Sequence, residues 1–184
     1  MKTKRIFAFL LCLVLALSLL PWEAVPVRAA GETEDNPYLV YDLDKLYDCL
    51  SLGGYIQLNN NVTRRKEYQA LSVAKGKTVY LDLNGYTING NYAGTQTTDP
   101  VINVSGALTL TDSRGGGKLT GGNNRTSGGG VYVTGGGSFT MAGGMITGNK
   151  AGADGGGVYV SDGGSFTMTG GTITGNKASN GGGV

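Results

Sequence analysis

The sequence predicts an all-β fold: a right-handed parallel β-helix, a three-sheet solenoid of about four coils, with a short N-terminal capping helix. Three observations carry this. First, Gly128-Gly129-Gly130-Val131-Tyr132-Val133 returns 27 residues later as Gly155-Gly156-Gly157-Val158-Tyr159-Val160. Ser138-Phe139-Thr140-Met141 and Ile146-Thr147-Gly148-Asn149-Lys150 return at the same offset, as Ser165 to Met168 and Ile173 to Lys177. Self-similarity at such a period marks units that stack because none buries its apolar face alone. Second, each segment alternates with period two, which places Val131, Val133, Phe139, Met141 and Ile146 on one side and Tyr132, Thr140 and Thr147 on the other. Third, 27 of the 34 glycines lie beyond residue 100, mostly between these segments, where turns are needed. Strands joined by such turns pair with their equivalents in the next unit, at ~4.8 Å per coil. The right-handed sense follows from the chirality of parallel crossovers.

Residues 1–29 read as a signal peptide. Lys2, Lys4 and Arg5 precede an apolar run from Ile6 to Leu20, and Val27-Arg28-Ala29 supplies a cleavage site after Ala29. The run would be about 22 Å long as helix, short of the ~30 Å bilayer core, so no membrane insertion is expected after cleavage. Cleavage turns the formal net charge of +2 into −1, which removes any reason to expect a nucleic-acid surface. It also leaves Cys49 as the single cysteine. Arg64-Arg65-Lys66 reads as a solvated basic loop. The chain has no histidine, which removes His acid–base chemistry and most zinc and copper sites.

Residues 30–40 read as an extended lead-in. Residues 41–54 read as the capping helix: Leu43, Leu46, Tyr47 and Leu50 share one helical face, Asp42 is the N-cap and Gly53-Gly54 the stop. A solenoid needs such a cover because bare strand edges recruit other chains. Residues 55–184 read as the β-helix. Tyr55-Ile56-Gln57-Leu58 is its first strand, and weaker units run over Ala70–Gly90 and Val101–Gly121. Leu71, Ile102, Val131, Val158 and Val184 occupy one inward column. The spacing of five from Leu83 to Ile88 matches that from Met141 to Ile146 and aligns an outward column of Asp82, Thr109, Thr140 and Thr167. Gly181-Gly182-Gly183-Val184 opens another unit, so the sequence is expected to stop in mid-coil, with further β-helix coils of the same chain to follow.

The helix at 41–54, the run Leu81-Asp82-Leu83-Asn84-Gly85-Tyr86-Thr87-Ile88-Asn89-Gly90 and the tandem units resemble the pectin-lyase-like right-handed β-helix proteins. More narrowly they resemble large adhesin-like bacterial surface proteins. The resemblance covers about residues 41–184. It implies a secreted, cell-wall-associated scaffold with an adhesive or structural role and a glycan or host-matrix partner. It also leaves open the N-terminal part of a polysaccharide-binding or polysaccharide-degrading protein whose site lies beyond residue 184.

Asn91, Asn149 and Asn176 each follow an aligned isoleucine by three residues. They are expected to form a structural ladder, because Asn tolerates left-handed backbone angles and its amide bonds to equivalents above and below. Such ladders are also a feature of the resembled fold. Tyr132 and Tyr159, outward in adjacent coils, are the candidate sugar-stacking residues. No cofactor, metal site or catalytic residue is expected. Asp112, Asp154 and Asp162 fall in turns at non-equivalent places, and no pair of carboxylates is forced to the ~5–9.5 Å spacing of glycoside hydrolysis.

Overall fold

The computed structural model describes residues 30–65, 68–91 and 97–184. The expected signal peptide and Lys66 lie outside the described residues. Seventeen strands and one helix are assigned within them. Every strand pair is parallel, and the strands stack as a β-solenoid of about four turns.

The first sheet holds β1 (Tyr38–Val40), β2 (Gly54–Leu58), β5 (Thr78–Asp82), β8 (Ala107–Thr111), β12 (Ser138–Met141) and β16 (Ser165–Met168), in that order. The second holds β4 (Leu71–Val73), β7 (Ile102–Val104), β11 (Val131–Val133) and β15 (Val158–Val160). The third holds β3 (Val62–Thr63), β6 (Thr87–Asn89), β9 (Lys118–Thr120), β13 (Met145–Thr147) and β17 (Thr172–Thr174). A short pair, β10 (Asn123–Asn124) and β14 (Lys150–Ala151), adds a fourth edge.

The core is a set of apolar columns running up the stack. Leu71, Ile102, Val131 and Val158 are in register, as are Ile56, Leu81, Leu110 and Met141. Val62, Ile88, Leu119 and Ile146 form the third column. All twelve are at most 1 % exposed. Period-two alternation produces this directly, since every second side chain of a strand points inward and parallel pairing puts each on its equivalent.

The helix, α1, spans Leu43–Leu52. The Asp42 carboxylate accepts a hydrogen bond from the Lys45 N–H at 2.8 Å, and the chain leaves the helix at Gly53 with φ +85°. Leu43, Leu46, Cys49 and Leu50 are buried, and α1 packs on β1, β2 and β4. The lead-in does more than run extended: β1 pairs with β2, with Tyr38 opposite Ile56 and Val40 opposite Leu58.

Two readings are corrected. Arg64 is not on a solvated loop: only 5 % exposed, it lies near Tyr47 and Asp99, and burial lowers its pKa while those two neighbours raise it. The outward column also shifts by two residues. Tyr80, not Asp82, is opposite Thr109, and Asp82 is opposite Thr111. The strand β5 ends at Asp82, so Leu83 belongs to the following turn, where it is fully buried.

Candidate functional site

That corrected register creates a cleft of about 600 Å³ on the outer face of the first sheet. Tyr55 and Gln57 of β2 alternate outward with buried Ile56, and Tyr80 and Asp82 of β5 alternate outward with buried Leu81. Parallel pairing puts Tyr55 beside Tyr80 and Gln57 beside Asp82. The two phenol rings stack at 4.5 Å between centroids and 11° between planes. The turn after β8 supplies Asp112 and Ser113 as one wall, Ala142 and Gly143 close the far end, and Glu34 and Pro37 close the near end.

The carboxylates are held firmly. Asp82 accepts four hydrogen bonds, from Asn84 N–H (2.8 Å), Ser113 N–H (2.9 Å), Ser113 Oγ (2.6 Å) and Gln57 Nε2 (3.0 Å). Burial alone would raise its pKa, but these donors outweigh burial and hold the carboxyl below its ordinary value of 3.8. Asp112 accepts from the Gly85 N–H with one oxygen (2.7 Å) and from the Gly117 N–H with the other (2.8 Å). The structure thus brings Asp82 and Asp112 to one cleft, a pairing the sequence did not force. The donors around Asp82 favour its ionised form, which does not suit the protonated acid of glycoside cleavage.

The Asp82 arrangement carries a pH dependence. A depressed folded-state pKa contributes stability above the unfolded pKa, near ~4, which is lost as pH falls through the folded value. Melting temperatures between about pH 6 and pH 2 should fall more steeply for the native chain than for Asp82→Asn. Parallel acid limbs would contradict this.

Tyr132 and Tyr159 stack at 5.3 Å and 28°. Both are half-buried, and Ser161 Oγ donates to the Tyr132 hydroxyl at 3.1 Å. Their column continues upstream through Asn103 and Ser72, so among the described residues it holds two rings. Asn149 and Asn176 meet directly: Asn149 Nδ2 donates to Asn176 Oδ1 at 3.0 Å. Asn91 is two coils from Asn149, with Gly122 at the level between them, and its Nδ2 donates to the Arg64 carbonyl instead. Only Asn91 has a positive φ, +54°; beside the other two, Gly148 and Gly175 take that conformation. Asp154 stands in a short side-chain ladder with Ser127 Oγ (3.3 Å) and Asn180 Nδ2 (3.0 Å).

The Tyr55–Tyr80 pair is the feature sequence reasoning missed. Its signal was the 25-residue offset that relates Tyr55-Ile56-Gln57 to Tyr80-Leu81-Asp82, shorter than the 31, 29, 27 and 26 of the aligned units. Fold and site together define a parallel β-solenoid with a helix at its N-terminal end and an aromatic, carboxylate-lined cleft on one sheet. Compared with known proteins, the chain matches no family model, no curated protein and no solved structure.

Proposed function

We propose that the chain is an exported surface scaffold, a stiff solenoid with an adhesive or structural role rather than a catalytic one. The observation that carries this reading is how the polar side chains are used. Asp82 and Asp112 cap backbone N–H groups of turns, Asn149 and Asn176 tie successive coils, and Asp154 joins Ser127 to Asn180. Groups so committed hold a repeat in register. Such a scaffold would present its side faces, in the manner of the adhesin-like, pectin-lyase-like proteins whose motifs the sequence resembles, to glycans or a host or matrix surface. A cell-wall location follows from the leader and from that resemblance.

Export is tested by expressing the chain with its leader in a Gram-positive host. The expected product lies outside the cytoplasm and begins at Ala30 by N-terminal sequencing. Full-length protein retained in the cytoplasm would sink the reading. A second reading, a polysaccharide-binding protein, is favoured by the Tyr55–Tyr80 cleft.

A further inference from the structure

We infer that the cleft over Tyr55 and Tyr80 binds an uncharged saccharide chain. The inference deepens the polysaccharide-binding reading, on which it rests, and is independent of the scaffold reading.

Shape comes first. At about 600 Å³ the cleft has the size of a small-molecule site. Its walls come from β2, β5, the turn after β8 and the turn after β12. Those levels span three rises of ~4.8 Å, about 14 Å, which suits a short run of sugar units rather than one.

Chemistry selects the ligand class. Stacking on Tyr55 uses one face of the Tyr80 ring. The register partner on its other side is Thr109, too short to cover a phenol, and Tyr80 remains 40 % exposed. An aromatic plate beside a wet cleft receives the apolar C–H face of a sugar ring. Sugar hydroxyls need acceptors at the ring edge. Each Asp112 oxygen takes one N–H bond and keeps acceptor capacity, and Glu34 at the near end is exposed.

Charge decides between sugars. Glu34, Asp82 and Asp112 line the cleft, and among the described residues its lining holds no Lys or Arg. A polyuronate would meet a like-signed field. Among the described residues no group of three or more His, Cys, Asp or Glu could hold a bridging metal ion. The cleft therefore favours neutral over acidic glycans.

Calorimetry on the purified chain tests this with cellohexaose, mannohexaose and chitohexaose as neutral probes and hexagalacturonate as the acidic one. At least one neutral hexasaccharide should bind, and hexagalacturonate should not. Tyr80→Ala should weaken that binding about tenfold and Tyr80→Phe, which keeps the ring, by less, while Lys75→Ala, at an exposed turn outside the cleft lining, should leave it near the native value. Ala142→Arg places a long side chain in the cleft from an exposed turn and should weaken binding without touching the core. Far-UV circular dichroism on each variant checks the fold. The inference is overturned if none of the neutral probes binds, if hexagalacturonate binds as tightly, or if neither Tyr80→Ala nor Ala142→Arg weakens binding. Export and sugar binding fail independently, since one is read in the cell and the other in the calorimeter.

Discussion

Replacing Asn149 by Ala should lower stability by about 2–5 kcal/mol, the largest loss of any single amide in the stack. Asn149 has no exposed surface. Its Oδ1 accepts from the Gly122 N–H of the preceding coil at 2.9 Å. Its Nδ2 lies within hydrogen-bond distance of the Leu119 carbonyl (3.1 Å), the Thr147 carbonyl (3.2 Å) and Asn176 Oδ1 (3.0 Å). One side chain therefore serves three successive coils. Alanine leaves the buried Gly122 N–H without its acceptor, at ~1–3 kcal/mol, and removes the amide's bonds to the Leu119 carbonyl and to Asn176. For a chain of this size the melting temperature should drop by roughly 5–15 °C.

Asn149→Asp separates the two halves of that network. The carboxylate can still accept from Gly122 but faces the Leu119 carbonyl and Asn176 Oδ1 with a buried negative charge. Its folded-state pKa should be raised, because burial and facing oxygens disfavour the ionised form. The variant should consequently regain stability as pH falls below about 6, the reverse of the native acid response at Asp82. Asn176→Ala, at a half-buried site, and Asn91→Ala, at an exposed one, should each cost about 1 kcal/mol. Urea melts of the four variants check the order. Equal losses at Asn149 and Asn91 would show that the contact between coils is not what the amide supplies.

The fold was legible because two independent periods agreed. The 27-residue repeat named the stacking unit, and the period of two within it named the inward faces, so the columns of Leu71, Ile88 and their partners could be drawn in advance. The register of β5 could not. Leu81, not Leu83, is level with Leu110, so the reading was two residues off. A two-residue slip leaves every side chain on its own face, and the inward/outward pattern is blind to it. That slip put Asp82 in the threonine column and hid Tyr80 beside Tyr55, and the cleft with them. Strands of two residues, β3, β10 and β14, are too short to show alternation at all.

Glycine was the other partial reading. Turn glycines with positive φ are present, Gly135 at +59° and Gly136 at +78° among them. The Gly-Gly-Gly triplets that precede Val131, Val158 and Val184 follow a different logic. Only the first member of each has a positive φ: Gly128, Gly155 and Gly181. In the first of these the other two lie against the backbone of the coil above, with Gly129 N–H on the Gly155 carbonyl and Gly130 N–H on the Gly156 carbonyl, both at 3.1 Å. The triplet extends the hydrogen-bonded ladder of β11 around a corner where the chain has no room for side chains.

Gly130→Ala should therefore be far costlier than Gly135→Ala, although both add one methyl group. At Gly130 the new Cβ would lie 2.6 Å from the Gly157 carbonyl oxygen, 3.0 Å from Asn149 Nδ2 and 3.1 Å from Ile146 Cγ2. The first neighbour is backbone in a hydrogen-bonded rung, and it can yield only if the coils move apart. The second is the amide whose bonds join three coils, so the two sites are coupled. Overpacking of a buried site costs ~1–3 kcal/mol even where side chains can adjust, and a backbone obstacle should put Gly130→Ala at or above the top of that range. At Gly135 nothing lies within 4 Å, and only the left-handed conformation opposes a side chain, at ~1–2 kcal/mol. Gly135→Asn should recover most of that, because Asn adopts the conformation more readily. Urea titrations of the three variants decide the matter. If Gly130→Ala and Gly135→Ala lost stability equally, the triplet would owe its glycines to backbone angle after all. The double variant Gly130→Ala with Asn149→Ala should lose less than the sum of the single losses, since truncating Asn149 removes one of the atoms the methyl meets.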